Sequence, residues 1–252
     1  MEPLPKLNII DNNRDGNLLI EKYIRKKGET IPLLHIMEAG CGRKWPLNLS
    51  DVRYVLTGVD RDEVALELRK NVKKDLDKAI VGDLLTVSIT QKFDIIYNSY
   101  VLEHIKDADK VLSIFDGWLK DRGTLILLIP DPNSVRGFIT RITPHWFHVF
   151  CYKYLLKIKN AGQKGYAPYP TYYSQIISRT GIRKFCRDNQ YVLKEEYGSS
   201  YRVYGKDYTA TLIKPIAFLI SLFSFGKLAY NHCNLLYILE KDSYGSETIS
   251  SR

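Results

Sequence analysis

Short apolar runs recur along the first half of the chain, and each ends at an acidic residue, a glycine or a polar turn. The runs lie at positions 33–37, 55–59, 79–81, 93–97 and 124–129. Runs of this length, bounded by turn residues, predict buried strands. The more polar segments between them predict helices, so strand and helix alternate along the chain. This alternation is typical of an α/β fold with a mostly parallel sheet.

Apolar spacing also predicts which helix faces are buried. A helix over 61–75 would turn four residues inward, namely Val64, Ala65, Leu68 and Val72. A second helix carries its apolar positions between 111 and 119 and should end before Gly123, because glycine is common just past a helix C-terminus. Only about a dozen residues separate Gly42 from the second strand, so the first crossover helix should be short or replaced by a loop.

The second half of the chain predicts one more helix and two more strands. Ser174 would cap a helix that carries Ile176 and Ile177 and continues to Phe185. Apolar runs at 191–197 and 235–239 predict the sixth and seventh strands.

Composition narrows the class of protein. The chain has 252 residues, of which 45% are hydrophobic, enough for one sizeable core. Its four widely spaced cysteines form no C-x-x-C pair, which fits a reducing compartment and predicts no metal site. The net charge of +9 is compatible with a solvated lysine-rich surface, an anionic substrate or an anionic membrane surface. Nucleic acid is disfavoured, because the basic residues are dispersed and no recognition module is apparent. No secretion leader is apparent at the N-terminus.

The turn after the first strand is the most informative segment. Residues 38–42 read Glu-Ala-Gly-Cys-Gly. Gly40 and Gly42 would let the backbone take positive φ and approach a ligand closely, at the sheet edge where α/β proteins bind small ligands. A dinucleotide-binding turn needs a third small residue, and positions 45 and 46 hold tryptophan and proline instead.

Further segments extend this pattern in order. The second and third strands end at Asp60 and Asp83, and the fourth runs into Asn98-Ser99 and then into Val-Leu-Glu-His at 101–104. Together with segment 38–42, they resemble the class I S-adenosylmethionine-dependent methyltransferases of the small-molecule type that carry a Val-Leu-Glu-His signature. The resemblance covers about residues 33–131 well and the remainder loosely.

The resemblance implies a Rossmann-like, seven-stranded, mostly parallel sheet with helices on both faces, an antiparallel last strand and an aromatic-rich insertion after the fifth strand. We expect a single domain over 1–241. Its 30–132 part would bind the cofactor, and its 133–241 part would hold the substrate-side insertion and the final strands. Residues 242–252 are expected to form a disordered tail.

The implied cofactor is S-adenosylmethionine. Asp60 would accept hydrogen bonds from the ribose hydroxyls, cap the following helix, or do both. Asp83 would accept from the adenine amino group, and the backbone at 98–99 would pass under the methionine part. The implied cofactor-binding residues are Glu38, Ala39, Gly40, Cys41, Gly42, Asp60, Arg61, Asp83, Leu84, Asn98 and Ser99.

Aromatic and histidine residues cluster after the fifth strand, at 144–150 and 166–173. They predict either a lid over the pocket or an aromatic subdomain core. The candidate acceptor-binding residues are Trp146, Tyr169, Tyr172 and Tyr173. Candidates for a general base are His145 and His148, with His104 less favoured and more often structural in such enzymes; a carboxylate or amine acceptor would need no strong base.

The segment 212–225 is nearly apolar but is interrupted by Lys214 and Pro215, and it is too short for a comfortable membrane span. Three interpretations stay open: a helix buried in the second layer, a patch on a membrane surface, or a dimer interface.

These observations predict a cytoplasmic enzyme that methylates a small or lipid- or glycan-linked acceptor on oxygen. If segment 212–225 is a membrane-surface patch, the enzyme would be peripheral at the membrane. The alternatives are a catalytically silent cofactor-binding module that docks on a membrane or a protein partner, and a Rossmann-type oxidoreductase. The sequence leaves the oligomeric state open.

Overall fold

The computed structural model of the chain describes residues 4–155, 157–163, 166–200 and 208–243, which build one eight-stranded sheet. The strands are β1 (Asn8–Ile10), β2 (Leu34–Ala39), β3 (Tyr54–Asp60), β4 (Lys78–Val81), β5 (Phe93–Ser99), β6 (Leu119–Pro130), β7 (Tyr191–Ser199) and β8 (Asn234–Lys241). Their order is β1-β7-β8-β6-β5-β2-β3-β4. Only β8 runs antiparallel to its neighbours within this sheet.

The predicted fold class is confirmed, with one strand more than expected. All seven predicted strands are present, and the last of them is antiparallel. The additional strand, β1, lies at the sheet edge and pairs in parallel with β7. Because β1 has only three residues, its sequence carries no strand periodicity that could predict it.

Helices cover both faces of the sheet. They are α1 (Asn13–Gly28), α2 (Glu63–Glu67), α3 (Ala108–Trp118), α4 (Val135–Ile142), α5 (His145–Phe150), α6 (Arg179–Asp188) and α7 (Tyr208–Phe223). Phe115 of α3 and Phe185 of α6 belong to the core on one face. Ile20 and Ile24 of α1 and Leu66 of α2 belong to the core on the other.

A loop, not a helix, connects β2 to β3, as predicted from the short spacing. Leu47 and Leu49 of this loop are buried in the core beneath α1. The loop backbone is fixed by α1, since the carboxylate of Glu21 accepts from the amide of Asn48 at 2.7 Å. The helix before β2 therefore takes the place of the missing crossover helix.

The predicted inward face of the 61–75 helix is confirmed at Ala65, which is buried, but is wrong at Val64 and Val72, and Leu68 is half-buried. Val64 and Val72 are 60% and 71% exposed, whereas Ala65, Leu66 and Arg69 are buried. The α-helix ends at Glu67 and continues as a π turn, Leu68–Lys73. The wider π turn rotates the following side chains, so that Arg69 points inward and Val72 outward.

Two predicted helix boundaries are also corrected. α3 ends at Trp118, and β6 begins at once, so Gly123 lies inside a strand; a Cβ there would come within 2.7 Å of the carbonyl oxygen of Lys120. Ser178, not Ser174, caps α6, because its hydroxyl accepts from the amide of Gly181 at 3.1 Å. Ser174 instead precedes the 3₁₀ turn Gln175–Ile177 and makes no capping hydrogen bond.

The apolar segment 212–225 forms most of α7, and the prediction of a helix buried in a second layer is wrong for its described side chains. From Pro215 onward only Ala217 and Ser221 are buried, while Phe223 is 81% exposed. Among the described residues, no helix combines the length and apolarity needed to cross a membrane. Apart from 242 and 243, the predicted tail 242–252 lies outside the described residues.

Candidate functional site

The glycine turn after β2 is held against its neighbours. The amide of Gly40 donates to the carbonyl of Val59 at 2.8 Å. Gly40 has φ +73°, and a Cβ there would lie 2.3 Å from a γ-carbon of Val101. Gly42 has φ +52°, and a Cβ there would meet nothing within 4 Å. Gly40 therefore lets the signature turn, residues 101–104, pack against the glycine turn. Gly42 instead presents bare backbone to open space.

Asp60, the last residue of β3, organises this turn. One carboxylate oxygen accepts from the amide of Gly42 at 2.7 Å, and the other accepts from the amide of Asp62 at 2.9 Å. Asp60 is half-buried, and each of its oxygens retains a second lone pair. The carboxylate can therefore hold the loop and still accept hydrogen bonds from a diol. The cap of α2 is Asp62, whose side chain accepts from the amide of Ala65.

A buried ion pair lies beneath the turn. Arg69 is fully buried and donates to Glu38 at 2.6 Å, to the carbonyl of Cys41 at 2.9 Å and to Asp75 at 2.9 Å. Burial raises the pKa of Glu38, and the guanidinium of Arg69 opposes this rise. The pair connects β2, the glycine turn and the π turn after α2, so Glu38 supports the loop from below.

The end of β5 lies beside the glycine turn, because Asn98 pairs in register with Ala39. The side-chain amide of Asn98 donates to the carbonyl of Ala39 at 2.9 Å, and its own oxygen has no partner in the described structure. The side chain of Ser99 hydrogen-bonds Tyr97. The neighbouring parallel strands thus bring 38–42, Asp60 and 98–99 to one edge of the sheet.

Asp83 follows β4 at the same edge. Its carboxylate accepts from the amide of Leu85 at 2.9 Å and lies 3.7 Å from the guanidinium of Arg61. The side chain of Arg61 is exposed, and Leu84 is buried. Cys41 is buried in the turn, and burial raises the pKa of its thiol to about 12, which disfavours a nucleophilic thiolate.

The signature turn at 101–104 connects the cofactor-side edge to segment 169–173. The amide of Tyr172 donates to the carbonyl of Glu103 at 2.7 Å, and Nδ1 of His104 lies 2.7 Å from the carbonyl of Pro170. The ring of Tyr169 packs edge-on against His104 with centroids 5.5 Å apart. Burial of the Tyr169 hydroxyl, followed by the nearby carboxylates of Asp62 and Asp60, raises its pKa. His104 therefore positions this segment.

Glu103 is a buried carboxyl with an unpaired oxygen. Its Oε2 has no hydrogen-bond partner among the described residues, and burial raises its pKa to about 8. Burial raises the pKa of Tyr173 to about 12, and the charge of Glu103 adds to this rise. The hydroxyl of Tyr173 hydrogen-bonds Thr140 of α4.

A cavity of about 300 Å³ lies beside segment 170–173. It is lined by Thr140, Arg141, Thr143, His145, His148, Pro170, Thr171, Tyr172 and Tyr173. The Nε2 atom of His148 lies 2.6 Å from the hydroxyl of Thr143. Burial, followed by the neighbouring His145, lowers the pKa of His148, so its imidazole is neutral near pH 7.

The structure thus brings four of the predicted acceptor-side residues, His145, His148, Tyr172 and Tyr173, to one cavity. Trp146 is 69% exposed and does not line it, and Tyr169 lies instead beside His104. The burial of Arg69 could not be predicted from the sequence, since a lone arginine on a helix face is normally solvated. Thr140 of α4 and Thr143 just after it were likewise not predicted, and nothing in their spacing indicates a cavity.

The comparisons with known proteins agree with this geometry. A family model described as a methyltransferase domain matches residues 13–195, more than half of the chain. No curated protein sequence matches significantly.

Solved structures of similar fold include three methyltransferases. The chain is similar to magnesium protoporphyrin IX methyltransferase from Synechocystis PCC 6803 with bound S-adenosylhomocysteine (16% identity, TM-score 0.53, covering 90% of this chain and 83% of that one). It is also similar to an S-adenosylmethionine-dependent methyltransferase from Clostridium acetobutylicum (13% identity, TM-score 0.51, covering 92% of this chain and 93% of that one). A third similar structure is a putative methyltransferase from Bacillus halodurans (12% identity, TM-score 0.54, covering 88% of this chain and 99% of that one). At these identities the likeness shows the fold.

The residues at the sheet edge fit S-adenosylmethionine, the cofactor of this family. Gly42 leaves open space beside bare backbone, Asp60 offers carboxylate oxygens for a ribose diol, and the unpaired oxygen of Asn98 offers an acceptor near the turn. The edge has no third glycine and no phosphate-binding helix N-terminus, which argues against a dinucleotide and so against the oxidoreductase alternative. The chain therefore belongs to the class I S-adenosylmethionine-dependent methyltransferases.

Proposed function

We propose that this protein transfers a methyl group to a hydroxyl oxygen of a small or lipid- or glycan-linked acceptor held in the cavity between α4, α5 and segment 170–173. One observation supports the proposal: the segment that hydrogen-bonds the signature turn also lines the cavity. Tyr172 donates its amide to Glu103 and also contributes to the cavity wall. An acceptor-sized space thus adjoins the segment that contacts the signature turn.

The cofactor-side residues position the reacting group. Bound S-adenosylmethionine supplies a sulfonium methyl, which an oxygen nucleophile attacks in line. Asp60, Asp83 and the backbone at 40–42 and 98–99 would fix the ribose, adenine and methionine parts, with Ala39, Cys41, Arg61 and Leu84 completing the walls. Holding both reactants in one geometry supplies most of the rate in such a displacement.

The acceptor-side residues favour a hydroxyl acceptor. The cavity wall carries hydroxyls of Thr140, Thr143 and Thr171 beside two imidazoles. A neutral imidazole near pH 7 can take the proton that a hydroxyl must lose, and the lowered pKa of His148 provides this state. His148 is therefore the proposed base, with His145 as its neighbour.

The enzyme is proposed to act in the cytoplasm. Exposed aromatic rings next to the cavity, such as Trp146 and Phe150, suit an acceptor with an apolar or glycan portion that extends beyond the cavity.

The test measures S-adenosylhomocysteine release from S-adenosylmethionine over panels of hydroxyl-, carboxyl- and amine-bearing acceptors. For a hydroxyl acceptor, we expect the rate to rise with pH while His148 loses its proton and then to level off. His148→Gln should abolish this pH limb and reduce kcat by about 10²-fold or more. His35→Gln, a substitution at the opposite end of β2, should leave both unchanged.

Three outcomes would contradict parts of the proposal. Turnover of a carboxylate or amine without a histidine limb would refute the hydroxyl acceptor and the base. An unchanged pH profile in His148→Gln would refute the assigned residue. Cofactor binding without product release on any panel would favour the catalytically silent module.

A further inference from the structure

Helix α7 is packed in an unusual way. In a surface helix of a globular protein, large apolar side chains face the core and polar ones face water. In the described part of α7, the buried residues are the small Ala217 and Ser221, whereas Leu219, Leu222 and Phe223 are 50%, 61% and 81% exposed. The hydroxyl of Ser221 donates to the carbonyl of Leu228 at 2.7 Å, which fixes this orientation. The large apolar face is therefore turned outward.

The two helices that line the cavity also carry exposed apolar side chains, and one of them, α4, packs against α7. Helix α4 contacts α7, and the amide of Val135 donates to the carbonyl of Ala229 at 2.8 Å, just beyond α7. On α4 and α5, Ile142, Trp146 and Phe150 are 61%, 69% and 47% exposed. We call the following six residues the docking face: Ile142, Trp146, Phe150, Leu219, Leu222 and Phe223.

The two segments of the chain that carry the docking face have charges of one sign. The chain has 28 acidic residues, yet none lies between Asp131 and Asp188. Segment 132–178 carries only basic charges, at Arg136, Arg141, Lys153, Lys157, Lys159 and Lys164. Segment 208–239, which contains α7, also has no acidic residue and carries Lys214 and Lys227. An apolar face within purely basic segments is complementary to a surface that is both apolar and anionic.

These charges argue against a second copy of the chain as the occupant. A two-fold interface brings the same patch of both subunits face to face, so basic residues would oppose basic residues. An anionic bilayer offers phosphates to the lysines and arginines and an acyl boundary to the aromatic and aliphatic side chains.

We infer that the docking face binds the surface of an anionic membrane, with the large side chains of α7, α4 and α5 in the headgroup region and the basic residues at the lipid phosphates. Thr140, Arg141 and His148 of the cavity come from the same two helices, α4 and α5. The cavity then takes the polar head of an amphipathic acceptor that stays in the membrane. This last statement rests on the proposed function.

Vesicle flotation of the full chain tests the inference. The wild-type protein should float with phosphatidylglycerol–phosphatidylcholine vesicles and much less with phosphatidylcholine alone, and added salt should weaken the binding. Leu222→Ser with Phe223→Ser should lower the partition coefficient by roughly tenfold per residue. Lys153→Gln with Lys157→Gln should lower it by about fivefold per charge, and only on anionic vesicles.

Matched controls lie on the remote part of the fold. Val64→Ser with Val72→Ser removes two exposed apolar residues near β4, and Lys22→Gln with Lys26→Gln removes two exposed charges of α1. Neither pair should change the partition. Equal losses in the control and docking-face variants would overturn the inference, and so would absence of flotation with anionic vesicles. A concentration-dependent dimer that Leu222→Ser with Phe223→Ser disperses would assign the face to a second copy instead.

Cofactor titration separates this inference from the proposed function. The docking-face variants should bind S-adenosylhomocysteine as the wild type does, because their side chains lie outside the cofactor edge. Cofactor binding without flotation refutes the membrane inference alone. Flotation without cofactor binding refutes the methyltransferase function while the membrane surface stands.

Discussion

The two glycines of the cofactor turn should respond differently to the same substitution. Gly40→Ala and Gly42→Ala each add one methyl group to a residue with positive φ. At Gly40 the new carbon would lie 2.3 Å and 2.8 Å from the γ-carbons of Val101. At Gly42 it would meet no atom within 4 Å and would project into the open space proposed for the cofactor.

The expected magnitudes follow from these contacts. A left-handed backbone costs an L-residue roughly 1–2 kcal/mol, and both variants share this cost. Overpacking against Val101 adds about 1–3 kcal/mol at Gly40 alone. Gly40→Ala should therefore lower the free energy of unfolding by about 2–5 kcal/mol, and Gly42→Ala by about 1–2 kcal/mol.

Urea unfolding followed by circular dichroism, without cofactor, measures the stability difference. Titration calorimetry with S-adenosylhomocysteine measures the effect on ligand affinity. Gly42→Ala should weaken this binding although the variant loses little stability and stays folded. Equal stability losses in the two variants would refute the packing argument. Wild-type affinity in a folded Gly42→Ala variant would refute the placement of the cofactor against this backbone.

Two further predictions concern the buried charges. Arg69→Met leaves Glu38 unpaired and should lower the free energy of unfolding in urea by about 3–5 kcal/mol. Adding Glu38→Gln to Arg69→Met should recover part of this loss. A double variant no more stable than the single one would contradict the ion pair between Arg69 and Glu38. The second uses Glu103, whose pKa burial raises from 4.5 to about 8, so its contribution to stability is greatest below about pH 4.5 and is lost as pH rises towards 8. Glu103→Gln should flatten this part of the stability–pH curve, and an unchanged slope would show that Glu103 is ionised in the fold.

The sheet edge could be predicted from sequence because parallel strands place their carboxyl ends together. Asp60 and Asn98 lie at the ends of strands that were visible as apolar runs, so their meeting with the glycine turn follows from the topology. Their placement at one edge of the sheet required no knowledge of packing beyond the order of the strands, whereas their proposed cofactor roles come from the family resemblance.

The remaining features depend on packing that no local pattern encodes. Arg69 is buried because three acceptors surround it, two from segment 38–42 and one, Asp75, from beyond the π turn. Val72 is exposed because a π turn changes the helical phase at Leu68. An outward apolar face of α7 was common to two of the three open interpretations, the membrane patch and the dimer interface, because an apolar run gives no information about which side contacts the rest of the protein.

The central claim is that Asp60 at the end of β3 holds S-adenosylmethionine, and one titration tests it directly. S-adenosylhomocysteine is titrated into the wild type, Asp60→Ala and the exposed-acid control Asp51→Ala. The account predicts micromolar binding to the wild type and the control, and binding weakened by roughly tenfold or more in Asp60→Ala, the worth of a charge-assisted hydrogen bond. No binding to the wild type, or equal binding to Asp60→Ala, would contradict it.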